Sequence, residues 1–375
     1  MIQKNVVDYF LSLITISSES KNEKNVAEKL FLDLKELGLQ PVFDKAYEMT
    51  GGNCGNLYAY LPGSIQKPPM LLCAHMDTVS PGNDIKPVVE NGIIHSDGTT
   101  VLGSDDKSGI AEIMLAIKEL KDSGEAHAPI ELLFTISEEI GLLGAKYLDY
   151  SLLKSKFGYA LDAHHVGEFM VGAPSQNSLE FKVHGKEAHA GVAPEMGINA
   201  IQVAAEAIAA ISWGRIDFET TCNVGIINGG NATNVVPNMV QIRGEVRSHS
   251  MKKLTDLTQQ IVNTFQETVD KYEVNGHKAR FEANVHNEYH SFFFENEEPV
   301  VELAIQAARK IGVPVRTIKG GGGSDANIFN GKGISVIAVG TGMDKVHTVE
   351  ECIEVSELEN GTKWVKELIR TYSNN

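Results

Sequence analysis

One stretch restricts the fold more than any other. Pro69-Met70-Leu71-Leu72-Cys73-Ala74 is an apolar run that reads as a buried strand of an α/β sheet. It stops abruptly at His75-Met76-Asp77, and Thr78-Val79-Ser80-Pro81-Gly82 then reads as a loop. Open α/β sheets place ligands beyond the carboxyl ends of their strands. Strand alternation sets His75 and Asp77 on one face, where histidine can ligate a metal and a nearby carboxylate can orient its ring. Alone, the motif fits a polar loop better. It recurs, however. Val101-Leu102-Gly103-Ser104 leads into Asp105-Asp106-Lys107, the strand 129–136 runs into Ser137-Glu138-Glu139, 157–161 runs into Asp162, and 334–340 precedes a loop carrying His347. Apolar strands that each deliver a histidine or carboxylate just past their ends describe a metal site.

At 375 residues the chain is long for a single core, so two domains are expected. Lysine and arginine total 33 against 49 acids, for a formal charge of −16. No basic patch of the kind that binds nucleic acid or anionic membrane is evident, so neither is an expected partner. Cys54, Cys73, Cys222 and Cys352 are scattered without CxxC spacing and read as free thiols of a reducing compartment. The first residues lack signal-peptide character and no run reaches the ~18 apolar residues of a membrane span. A cytoplasmic location is expected.

Along the chain, 22–37 has helical apolar spacing, short strands follow at 41–43 and 56–60, and a second helix covers 105–120. The apolar stretch up to Ile16 is short and mixed. A helix is expected over 142–150. The rhythm changes after Pro174: strands at 179–183, 222–227, 240–246 and 279–285 alternate with helices at 199–211 and 252–272. The α/β rhythm returns near Phe292, with helices at 299–311 and 356–372. The expected architecture is an α/β catalytic domain of mixed sheet and flanking helices, discontinuous over 1–173 and 292–375, interrupted by an α+β domain over 174–291. The run Gly320-Gly321-Gly322-Gly323 lacks the lysine and spacing of a P-loop.

His75-x-Asp77, Gly103-Ser104-Asp105-Asp106-Lys107-Ser108-Gly109, Ser137-Glu138-Glu139-Ile140-Gly141, Asp162 and His347, in this order, resemble the zinc exopeptidase family of peptidase T, carboxypeptidase G and the aminoacylases, most closely its peptidase T-like branch. The resemblance spans nearly the whole chain. It implies two zinc ions per chain, with manganese or cobalt as substitutes. Asp105 would bridge them, His75 and Asp162 would hold one, and Glu139 and His347 the other. The chemistry is consistent, since zinc takes histidine nitrogen and carboxylate oxygen, and a carboxylate can bridge where a neutral histidine cannot. A cis peptide after Asp105 is also implied. Glu138 would be general base and then acid, and Asp77 would orient His75. Asp106 is either a helix N-terminal charge or a support of this loop.

The resemblance makes the inserted domain a lid and dimerisation domain. His189, in Gly185-Lys186-Glu187-Ala188-His189, looks like the family's lid histidine, although by itself it reads as a surface residue. Asn234 would bind substrate, and Arg247 would hold a substrate carboxylate, the alternative being a strand-end salt bridge. Gly322 and Gly323 would let the substrate backbone approach. His164 and His165 match no family ligand and read as structural. The implied activity is exopeptidase action on short peptides, most like a tripeptide aminopeptidase, with a homodimer through the lid. Asp rather than Glu at position 162 favours the peptidase branch. The alternatives are an N-acyl amino acid amidohydrolase or carboxypeptidase on the same fold, and a silent binding protein, which would lack some of these ligands. No GxSxG elbow marks a serine hydrolase.

Overall fold

The computed structural model describes residues 2–375. It divides into two compact units, one running to Gly172 and resuming with Phe293–Gly320 and Ser324–Asn375, the other comprising Ala173–Phe292 and Gly321–Gly323. The glycine loop thus departs from the expected division, because Gly323 lies against the Tyr289 ring of the second unit.

The first unit is built on a nine-stranded mixed sheet. Met70–His75 and Ile130–Thr135 are buried at every residue, as strands covered on both faces must be. They pair in parallel with His75 opposite Thr135. Phe157–Ala163 runs parallel to Met70–His75 and to Ser335–Gly340. The carboxyl ends of these strands therefore share one edge. Leu57–Leu61 and Glu168–Ala173 join antiparallel, which makes the sheet mixed.

Ser104–Ser123 covers this sheet, burying Ile110, Ile113, Met114 and Ile117. It packs on Val355–Asn374 and on Val6–Ile14. Each such side chain contributes about 1.5–3 kcal/mol on burial, so packing rather than intrinsic propensity holds the helix. Val6–Ile14 is a helix that the apolar stretch near the start did not announce. Its apolar residues Val6, Tyr9, Phe10, Leu13 and Ile14 have helical spacing and are buried, and the Asn5 side chain caps it by accepting from Asp8 N at 2.8 Å. The helix expected over 142–150 is only a turn at Leu143–Lys146 and a 3-10 turn at Tyr150–Leu152, because Leu142 is left-handed and Asp149 caps a new start. A small four-stranded sheet, Met343–Asp344, Cys352–Glu354, Ile93–Ser96 and Pro87–Glu90, was also unannounced; its strands are too short to show a period.

The second unit is α+β. Its five-stranded sheet runs in the order Gly214–Asp217, Thr220–Gly229, Met239–Ser248, Ser175–His184, Arg280–Tyr289, antiparallel throughout. Alternate residues Phe181, Val183, Val240 and Ile242 form a core with Val203, Leu254, Ile261 and Phe265 of the helices Ala200–Ala209 and Met251–Val269. The Phe181 ring lies 5.0 Å from that of Phe265 and 5.2 Å from that of Phe281. Among the described residues, no helix is long and apolar enough to cross a membrane.

Candidate metal centre

The shared strand edge brings the acids and histidines of the first unit together. His75 ends its strand, and Glu138 and Glu139 follow the strand paired with it. Asp162 lies in the next parallel strand, where Ala160 pairs with Cys73. Asp105 stands at the start of the covering helix and is joined to Asp106 by a cis peptide bond. His347 comes from the loop between Met343–Asp344 and Cys352–Glu354, with a left-handed backbone at φ 62°.

Asp105 lies between the two histidines. His75 Nε2 is 3.0 Å from Asp105 Oδ1, and His347 Nε2 is 3.3 Å from Asp105 Oδ2. His347 Nε2 is also 3.0 Å from Glu139 Oε2, and His75 Nε2 is 4.0 Å from Asp162 Oδ1. The donor atoms of His75, Asp105 and Glu139 lie within 4.8 Å of one another, as do those of His75, Asp106 and Asp162. His164 and His165 are exposed and belong to neither group.

A buried frame holds these groups. Asp77 stands 3.4 Å from His75 Nδ1, accepts from Ser20 Oγ at 2.7 Å, and accepts from the backbone N–H groups of Glu138 and Glu139 at 3.0 and 3.2 Å. One carboxylate thus orients a histidine and fixes both glutamates. Asp106 accepts from His75 N at 3.0 Å, which anchors the strand end, and it also stands in the first turn of the helix. Glu23 accepts from Ser137 N at 3.0 Å, where the backbone is left-handed just before Glu138. Asp325 accepts from Thr135 Oγ1 at 2.6 Å. Glu351 accepts from the segment carrying Asp105. Sequence patterns did not single out Glu23, Ser20, Asp325 or Glu351. Nothing in their local spacing separates them from ordinary loop acids and hydroxyls.

The electrostatics ask for positive charge. Burial, then repulsion from neighbouring acids, holds Glu138, Asp162 and Asp106 well above the usual carboxyl range, with His75 opposing. Burial also raises Glu139, against its hydrogen bond with His347. Burial pushes Asp105 up, but its contacts with His347 and His75 more than offset this and leave it lowered. Hydrogen bonds to Asp105 and Glu139 push His347 up to about 10. The surrounding carboxylates thus favour positive charge on both imidazoles. Cations among the same carboxylates would neutralise them better, and histidine nitrogen with carboxylate oxygen is a donor set that zinc accepts. The residues fit a metal pair.

In the second unit, Ala190 N donates to Asn234 O at 3.0 Å and Val236 N to Ala188 O at 2.9 Å, so the loops carrying His189 and Asn234 run side by side. Both side chains are exposed. Arg247 pairs with Glu245 in two contacts, at 2.9 and 3.0 Å, so the salt-bridge alternative is realised within the strand. A side chain on Gly322 would come 3.4 Å from Arg247 Nη1, whereas one on Gly323 would meet the Tyr289 ring at 2.3 Å. The bare Cα of Gly323 lets the Tyr289 ring pack against it.

Fold and site together define a metallopeptidase scaffold, and comparison with known proteins is specific. The model of "Peptidase family M20/M25/M40" matches residues 71–371. The uncharacterized protein YqjE of Bacillus subtilis is 41% identical over 98% of both chains. Among solved structures, a tripeptidase from Staphylococcus aureus superposes with a TM-score of 0.93 at 36% identity, covering 100% of each chain. The aminopeptidase PepT from Bacillus cereus does so with a TM-score of 0.87 at 40% identity, covering 99% of each. The chain belongs to peptidase family M20/M25/M40, in its peptidase T-like branch.

Proposed function

We propose that this protein is a di-zinc aminopeptidase of the tripeptidase type, cleaving short peptides from their free amino end. The observation that carries the reading is Asp105, with one oxygen 3.0 Å from His75 Nε2 and the other 3.3 Å from His347 Nε2. His75 and Asp162 would hold one zinc, Glu139 and His347 the other, and Asp105 both; manganese or cobalt can substitute. Zinc held by these residues would supply Lewis-acid activation of a water and polarisation of the scissile carbonyl. Glu138, fixed through its backbone by Asp77, takes the proton from the attacking water and returns it to the leaving amine. Asp77 keeps His75 Nε2 turned toward Asp105. The second unit acts as a lid: His189 offers a donor to the developing oxyanion, Asn234 and Arg247 bind substrate, and Gly322 and Gly323 leave room for its backbone. A homodimer through this unit is part of the reading, as is a cytoplasmic location.

The test is metal analysis together with a panel of free and N-acetylated di- and tripeptides. About two zinc ions per chain and preference for free tripeptides are expected. Faster cleavage of N-acetylated substrates would instead assign an amidohydrolase.

A further inference from the structure

Glu351 is separated by 246 residues from Asp105, yet its carboxylate is committed to that segment. Oε2 accepts from Leu102 N at 2.7 Å and Gly103 N at 2.9 Å. Oε1 accepts from Ser104 Oγ at 2.6 Å and Asp105 N at 3.0 Å. The residue is 1% exposed. The N-cap, Gly103, is left-handed at φ 72° and has no side chain, so the segment enters the helix without capping from its own N-cap. Its first N–H groups need an acceptor from elsewhere, and Glu351 accepts from one of them, Asp105 N, as well as from the two N–H groups before the helix. Lys107, fully buried and with no hydrogen-bond partner for Nζ among the described residues, supplies a nearby positive charge. Glu351 also belongs to the His347 loop, where its own N–H donates to Thr348 O at 3.1 Å. One short loop therefore presents a histidine to Asp105 and grips the backbone of Asp105.

We infer that Glu351 is a positioning residue that locks the Asp105 segment to the His347 loop, so that Asp105 is held between the two histidines before any metal arrives. The inference rests on the metal reading above and adds a determinant of affinity that is not itself a ligand. Glu351→Gln preserves size and removes half of the acceptor capacity, forcing an amide NH2 against N–H donors.

Amide hydrogen exchange of the metal-free protein reads the clamp directly. In Glu351→Gln, Leu102, Gly103 and Asp105 should exchange at least about tenfold faster, while Ile110 to Ile117 stay protected. Titration of the metal-free protein with zinc should show about 10–100-fold weaker binding, the scale for residues that orient ligands. Activity should return as zinc is raised, which a merely unstable fold would not show. Ser104→Ala removes one of the four donors and should weaken zinc by about 2–10-fold, so the clamp remains testable if Glu351→Gln folds poorly. Glu350→Gln, at an exposed neighbour, should match wild type. Unchanged exchange, or zinc affinity within about twofold of a wild type that binds two ions, overturns the clamp. Wild-type protein that takes up no zinc overturns the metal reading itself, and exchange at the three amides still reports whether the clamp exists.

Discussion

The two units carry their chemistry in opposite ways. In the first, His75, Asp105 and Glu138 are buried, and each is gripped through its backbone by a further buried side chain, Asp106, Glu351 and Asp77 respectively. In the second, His189 and Asn234 are exposed on loops joined through their backbones. A site that must hold charge apart from water needs a rigid, fully satisfied frame. On the lid reading proposed above, His189 and Asn234 must stay free to move. Substitutions in the first unit should therefore separate metal binding from turnover, whereas those in the second should spare the metals altogether.

The contrast is sharpest at Glu138 and Glu139. Glu138→Gln should keep its metals and fold but lose turnover by about 10²–10⁴-fold. Glu139→Gln should lose metal instead. Metal content by mass spectrometry, with kcat on a free tripeptide, checks both; the reverse pattern would exchange base and ligand.

His189→Ala comes next, with turnover lowered by on the order of 10²–10³ and metal content intact. If the histidine serves the partner's site in a homodimer, mixing inactive His189→Ala and Glu138→Gln chains should restore part of the activity. Verified subunit exchange without recovery would mean that each lid serves its own chain. An unchanged rate in His189→Ala would remove the residue from the mechanism.

The glycine pair probes the second unit with a smaller effect. Gly323→Ala drives a methyl into the Tyr289 ring and should cost about 1–3 kcal/mol of stability, as overpacking does. Gly322→Ala meets only Arg247 Nη1 at 3.4 Å and should leave thermal unfolding nearly unchanged while raising KM. Equal losses of stability in both variants would make the two positions alike.

The clustering of these acids and histidines was legible because they follow apolar runs, and parallel strands end at a common edge whatever their distance in sequence. His75 and Glu138 are 63 positions apart but adjacent through the pairing of His75 with Thr135. The frame was not legible for the converse reason. Glu351 acts through backbone donors 246 residues away, and no local period encodes such a contact. The Val6–Ile14 helix was missed although its spacing is regular, because nine residues give little more than two turns to judge. The packing of Gly323 was not legible either, because the close neighbour that a glycine admits, here Tyr289, is invisible until the chain is folded.

Glu112 offers the smallest effect and a test of the frame away from the chemistry. It is fully buried in the helix Ser104–Ser123, both carboxyl oxygens lack a hydrogen-bond partner among the described residues, and Gly361 of the neighbouring helix leaves the space it fills. Burial, then Asp106 and Glu357, raises its pKa well above the ordinary 4.5. Between 4.5 and that raised value the folded chain binds more protons than the unfolded chain, so stability falls as pH rises through this window. Below 4.5 both states are protonated and the penalty vanishes. Glu112→Gln keeps the shape of the neutral acid and cannot ionise. It should melt with wild type near pH ~4 and above it near pH ~8, by about 2–4 °C for each kcal/mol relieved. Thermal unfolding of both proteins at the two pH values checks this. A difference in Tm that does not change with pH would mean that Glu112 never faces the choice between a proton and a buried charge.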